Sequence, residues 1–122
     1  MVSDVPLLQL RPELVHGVAI VDLLVSEMTE SHQATLLGQA LRAIFDGGAS
    51  TRLIINASAT RYIASSVFAV LLGFGIRTIE AGGKVAICSM DPFVRDGARI
   101  IKFNRILPIF DDELGAVAAM IA

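Results

Sequence analysis

Apolar and polar positions along the chain change period several times, and each change marks an element. Val18-Ala19-Ile20-Val21-Asp22-Leu23-Leu24 is short, apolar and β-branched, the pattern of a buried strand. Leu7-Leu8-Gln9-Leu10 is a shorter run of the same kind, interrupted by Arg11-Pro12-Glu13. His16-Gly17 between the two runs suggests a hairpin-like turn. From residue 29 to 45 the period becomes helical. Leu36, Leu37, Ala40, Leu41 and Ile44 recur on one side, while Glu30, His32, Gln33, Gln39 and Arg42 fall mostly opposite. Asp46-Gly47-Gly48 ends that amphipathic helix, because glycine readily takes the left-handed conformation of a helix stop.

The second half repeats the alternation. Residues 52–56 predict a central strand and residues 57–63 a loop of small residues. A helix follows from Ser65 to Glu80, closed by Ala81-Gly82-Gly83. Residues 84–89 predict another strand. Asp91-Pro92 starts a helix, with an N-cap aspartate and proline at the first helical position, that runs to about Lys102. Leu107-Pro108-Ile109-Phe110 reads as an edge-like strand, where proline is tolerated. Asp111-Asp112-Glu113 opens a last helix, where the helix dipole favours acids. The order β-β-α-β-α-β-α-β-α predicts one α/β domain over residues 1–122, with a mainly parallel central sheet and crossover helices.

Composition narrows the setting. At 122 residues and 54% hydrophobic, the chain can bury a core without disulfides or metals. A net charge of −2 gives no electrostatic reason to expect nucleic-acid binding. The lone cysteine, Cys88, fits a reducing compartment, hence an expected cytoplasmic location. Residues 1–10 lack the basic start of a signal peptide. The longest apolar-dominated run, residues 62–76, is shorter than the ~18 residues of a membrane span.

No enzyme signature is complete. Gly83-Lys84 lacks the upstream glycine and the following hydroxyl residue of a phosphate-binding loop. Gly73-Phe74-Gly75 lies inside a predicted helix, with Thr78 where a dinucleotide fingerprint has its third glycine. His16 and His32 stand in no nucleophile or metal spacing. Cys88 in an apolar strand reads as inert packing. Asp111, Asp112 and Glu113 point in different directions on a helix, which favours capping and solvation over a cation site. No catalytic residue, metal or cofactor is therefore expected. Arg95, Arg99 and Lys102, at i, i+4 and i+7, form a basic stripe that reads either as a solvated face or as a docking stripe for an acidic partner.

The most informative stretch is residues 56–72, in which a strand ends, a short loop follows and Ser65-Ser66 opens an apolar helix. Serines there read as ordinary caps. They also read as phosphorylation sites, since a phosphate suits the positive end of a helix yet spoils an apolar docking surface. Val67, Phe68, Val70, Leu71, Leu72, Phe74 and Ile76 cover more than one stripe, so the helix has apolar surface to spare for a partner or a dimer.

Three features carry a resemblance: a hydrophobic residue, Ala64 and Ser65-Ser66 before a hydrophobic helix; Ala81-Gly82-Gly83-Lys84-Val85 before a strand; and Ile106-Leu107-Pro108-Ile109-Phe110-Asp111-Asp112-Glu113. Over residues 18–119 the chain resembles the STAS family of anti-sigma factor antagonists. The resemblance implies a bacterial regulator without catalytic activity. It would bind an anti-sigma factor that is itself a serine kinase and be switched off by phosphorylation of Ser66. It also implies a partner-binding surface at Ser58, Thr60, Ser65, Ser66 and Val67. Ala64 stands where the family usually has aspartate, Val67 where it has glycine, and Asn56 near a usual strand-end aspartate. Alternative readings are an unphosphorylated STAS scaffold or subunit, a small-ligand-binding domain and, for assembly, a homodimer.

Overall fold

The computed structural model describes residues 6–122. In chain order the elements are β1 (Leu8–Leu10), β2 (Ala19–Leu23), β3 (Glu27–Met28), α1 (Ser31–Asp46), β4 (Arg52–Asn56), β5 (Tyr62–Ile63), α2 (Ser65–Glu80), β6 (Lys84–Cys88), α3 (Pro92–Ile100), a 3-10 turn (Phe103–Arg105), β7 (Ile109–Phe110) and α4 (Glu113–Ile121). The reading made for residues 1–10 falls partly on residues 1–5, which lie outside the described residues.

A five-stranded sheet has the order β1-β2-β4-β6-β7. Only β1 runs antiparallel to its neighbour; β2, β4, β6 and β7 are mutually parallel. The β1–β2 connection closes at His16 and Gly17, both with positive φ (50° and 79°), between the bridged Val15 and Val18. Two successive left-handed residues match the twist of a tight hairpin, and glycine takes the second at little cost.

Side chains alternate across the parallel strands. Val21, Leu53, Ile55, Val85 and Ile87 pack with buried residues of α1, α2 and α3. Ile20, Ile54, Ala86 and Cys88 pack with Ala116, Val117 and Met120 of α4. Among the described residues, three helices therefore cover one face and α4 alone covers the other. Strands buried on both sides have no polar face, which is why their sequences are mainly apolar rather than alternating.

The mainly parallel α/β architecture stands as predicted, with two corrections. The expected loop over residues 57–63 ends in β5, which pairs in parallel with β3 as a separate two-stranded ribbon. Two-residue strands are too short to show a period. The helix expected to reach Lys102 stops at Ile100, and Lys102 turns left-handed at φ 60° so that Phe103 enters the core. The basic stripe is broken as a result. Arg95 bonds the Asp111 carboxylate and donates to the Ile109 carbonyl at 3.3 Å, Arg99 lies 3.7 Å from Asp96, and Lys102 is off the helix.

Candidate functional site

β4 is the central strand, and its end delivers the chain to the loop before α2. That loop is stitched to residues 25–28. Thr60 Oγ1 donates to the Val25 carbonyl at 2.9 Å, Arg61 N to Ser26 O at 2.6 Å, and Ala64 N to Met28 O at 2.8 Å. Its other anchor is Asn56. The side-chain Nδ2 donates to Glu113 Oε1 at 3.0 Å, and Oδ1 accepts from Ser58 N at 3.0 Å. Glu113 also accepts from Arg11, whose guanidinium grips Asp22 with Nε and Nη2 at 2.8 and 2.9 Å. The Asp22 hydrogen bonds, then those of Glu113, hold the Arg11 proton more firmly than usual. An acceptor-only side chain at position 56 would face Glu113 with no donor, which accounts for asparagine there in place of the expected aspartate.

α2 begins without a side-chain cap. Its N-cap is Ala64 (φ −73°, ψ 158°), whose carbonyl accepts from Val67 N at 3.0 Å and Phe68 N at 3.1 Å. Ser65 and Ser66 are the first two helical residues and not the cap, so the ordinary capping reading is corrected. Both are exposed. Among the described residues, neither hydroxyl nor either backbone N–H is hydrogen-bonded within the chain. These N–H groups are among the orphan donors of every helix start, and they lie at its positive end.

The residues expected to face a partner separate into two groups. Ser58, Ser65 and Ser66 are on the surface. Val67 is 0% exposed and Thr60 is 1% exposed, so neither offers a side chain to a partner. Val67 falls on the inward stripe of α2 with Phe68, Leu71 and Phe74, and Thr60 spends its hydroxyl on the Val25 carbonyl. The apolar surplus of α2 is mostly absorbed in the core, since Phe68 and Phe74 are buried and Leu72 is half-buried.

Surface chemistry next to Ser65 comes instead from α3, which sequence reasoning missed. A groove of about 410 Å³ is lined by Tyr62, Ser65, Phe68, Phe93, Gly97 and Ile100, among others. Phe93 is 72% exposed and Ile100 80%. Gly97 lies mid-helix, and a Cβ built there meets nothing within 4 Å. Glycine costs a helix roughly 0.5–1 kcal/mol against alanine, and no neighbour in the chain requires it here. Its bareness keeps the groove floor low. The signal was available: Phe93, Gly97 and Ile100 share a face of α3, away from the buried Val94 and Ala98. A larger hollow of about 540 Å³ runs between α1 and α2, past Gly38, Arg42, Gly73 and Arg77, and includes neither serine. Volume alone therefore does not select the site.

Cys88 is fully buried, and desolvation pushes its thiol above the ordinary value. Among the described residues no group of three or more His, Cys, Asp or Glu could hold a metal ion, and no helix is long and apolar enough to cross a membrane.

A sheet of this order with three helices on one face and one on the other is the arrangement of a known domain class. The STAS domain family profile matches residues 13–116, and the chain belongs to that family. Several solved structures share the fold. An anti-sigma factor antagonist from Mycobacterium paratuberculosis is 19% identical, with 94% of this chain and 95% of that one covered and a TM-score of 0.75. The anti-sigma factor antagonist SpoIIAA in its unphosphorylated form is 20% identical, with 92% and 94% covered and a TM-score of 0.72. The Bacillus cell fate determinant SpoIIAA in the phosphorylated form is 19% identical, with 92% and 97% covered and a TM-score of 0.64. At these identities the likeness is one of fold. No protein of curated function matches the sequence.

Proposed function

We propose that this chain is a phosphorylation-controlled binding module, an anti-sigma factor antagonist that acts in the bacterial cytoplasm without catalysis of its own. Its partner is an anti-sigma factor with serine-kinase activity. The binding surface comprises Ser58, Ser65, Ser66 and the adjoining groove under Phe93 and Ile100.

The observation that carries the reading is the state of Ser66. Its side chain is exposed, second in a helix whose N-cap is an alanine, and it is not used to hold the fold together. A phosphate on its hydroxyl adds about −1.5 to −2 charges at the positive end of α2, within reach of orphan N–H groups. The modified domain keeps its fold, because nothing buried moves. The same charge lies beside an apolar groove, where a docked partner excludes water. Desolvating it there without a compensating cation opposes binding. That a STAS fold has been solved in a phosphorylated form supports a switch of this kind.

The test combines the purified chain with ATP and a serine-kinase anti-sigma factor from the same cells, followed by phosphopeptide mass analysis. Phosphate on Ser66 that is lost in Ser66→Ala is expected. The scaffold reading has one observation in its favour: the methyl of Ala64 offers no acid to orient the Ser66 hydroxyl. On that reading the chain stays unmodified and binds partners constitutively.

A further inference from the structure

α1 and α2 lie on one face of the sheet and run the same way, because each leads from one parallel strand to the next. The hollow of about 540 Å³ between them is bordered by Ala34 and Gly38 of α1 and by Ala69 and Gly73 of α2. Each pair is spaced by four residues, so its members share a helix face. Packing explains Gly38, where a Cβ would stand 2.9 Å from Val70 Cγ1. It does not explain Gly73, where a Cβ meets nothing within 4 Å. Glycine there costs the helix stability and leaves the trough open.

One turn beyond Gly38 and Gly73, at the same spacing, Arg42 and Arg77 line the hollow. Among the described residues neither guanidinium forms an ion pair, and Asp46, the one acid in the lining, pairs with neither. Two cations and one acid leave the hollow one net positive charge. Thr78 is an independent sign of a ligand. It is 2% exposed and lines the same hollow. Thr35, also in the lining, spends its hydroxyl on the Ser31 carbonyl at 3.3 Å. The Thr78 hydroxyl has no hydrogen-bond partner among the described residues, where no side-chain nitrogen or oxygen is both unpartnered and sealed off. Its oxygen therefore opens on the hollow. A polar atom of a buried residue ordinarily has a partner, and the chain supplies none here.

We propose that this hollow binds a small organic anion, a carboxylate on an apolar tail of medium-chain fatty-acid length. The head lies between Arg42 and Arg77 and the tail runs along Ala34, Gly38, Ala69 and Gly73. Each part of the lining selects part of that ligand. A guanidinium presents paired N–H donors that match a carboxylate, and the Thr78 hydroxyl adds another donor. One net positive charge suits a monoanion better than a doubly charged phosphate. From Arg42 back to Ala34 the helix rises ~12 Å, which sets the length of the tail. An apolar trough with a few convergent polar groups, within the ~300–1,000 Å³ of small-molecule sites, is the usual form of such a pocket. The hollow includes neither Ser65 nor Ser66, so the inference stands apart from the proposed switch.

Titration of the ¹⁵N-labelled chain with octanoate, followed by amide chemical shifts, tests the site. Saturable shifts centred on Gly38, Ala69 and Gly73 are expected, with a Kd between about 10 µM and about 1 mM. Octanol has the tail without the charge and acetate the charge without the tail; each is expected to bind at least tenfold more weakly. The double variant Arg42→Gln, Arg77→Gln is expected to keep the thermal melt and lose octanoate affinity at least tenfold. Gly73→Leu, whose side chain enters open space, is expected to stay folded and abolish binding. No saturable shift up to about 5 mM octanoate, equal affinity for octanol, or unchanged octanoate affinity in either variant would overturn the proposal.

Discussion

The amide of Asn56 and the carboxylate of Glu113 meet at 3.0 Å, which fastens the end of the central strand to the first turn of α4. Asn56 is buried and reads both ways: it gives a proton to Glu113 and takes one from Ser58 N. Asn56→Asp keeps the second bond and sets two carboxylates together. A loss of about 1–3 kcal/mol at neutral pH is expected, read from denaturant midpoints. The new carboxyl would have its folded pKa raised by Glu113. The fold therefore regains stability as pH falls through the carboxylate range near ~4, and the gap to wild type narrows there.

Cys88 gives the opposite end of the pH scale its signature. Burial raises its thiol above the ordinary value of 9.0. The folded pKa exceeds the unfolded one, so the full stability is present below the unfolded pKa and declines as pH rises toward the folded value. Unfolding free energy measured from neutral pH upward is expected to fall beyond about pH 9. Cys88→Ala is expected to be less stable at neutral pH, from the cavity left behind, and to lack that contribution to the alkaline slope, so that the gap to wild type narrows as pH rises. The native thiol is expected to resist alkylation at neutral pH.

Gly97 separates stability from binding. Gly97→Ala is expected to raise the stability of the free domain by roughly 0.5–1 kcal/mol, because the helix gains and the added methyl meets nothing. Gly97→Leu fills the groove between Phe93 and Ile100 and is expected to weaken partner binding at least tenfold, about 1.4 kcal/mol, while the fold persists. Thermal melts and a titration against the partner check the two effects. Unchanged affinity in Gly97→Leu removes the groove from the binding surface.

Much of this was legible in the sequence because it is local. The apolar runs at β2, β4 and β6 reflect burial on both faces of a parallel sheet, and the bounds of α1 and α2 follow from period and glycine stops. Ser66 at the head of α2 follows from the strand–loop–helix order alone. The rest depends on contacts distant along the chain. Arg11 and Glu113 are 102 residues apart, so no window of sequence shows that they bond. The family resemblance alone puts Val67 and Thr60 on the partner surface. Helix phase buries one, and the Val25 carbonyl holds the other inside. The groove joins β5, α2 and α3, and only the folded chain brings Phe93 beside Ser65.

The central claim is that the charge at Ser66 governs partner binding. The direct measurement is a calorimetric titration of a serine-kinase anti-sigma factor from the same cells with three forms of the chain: wild type, Ser66→Ala and Ser66→Asp. Wild type and Ser66→Ala are expected to bind alike. Ser66→Asp is expected to lose affinity by an amount comparable to an interface hot spot, about 2 kcal/mol or roughly thirtyfold. Equal affinity for all three forms would contradict the switch and leave a STAS domain that binds without regard to Ser66.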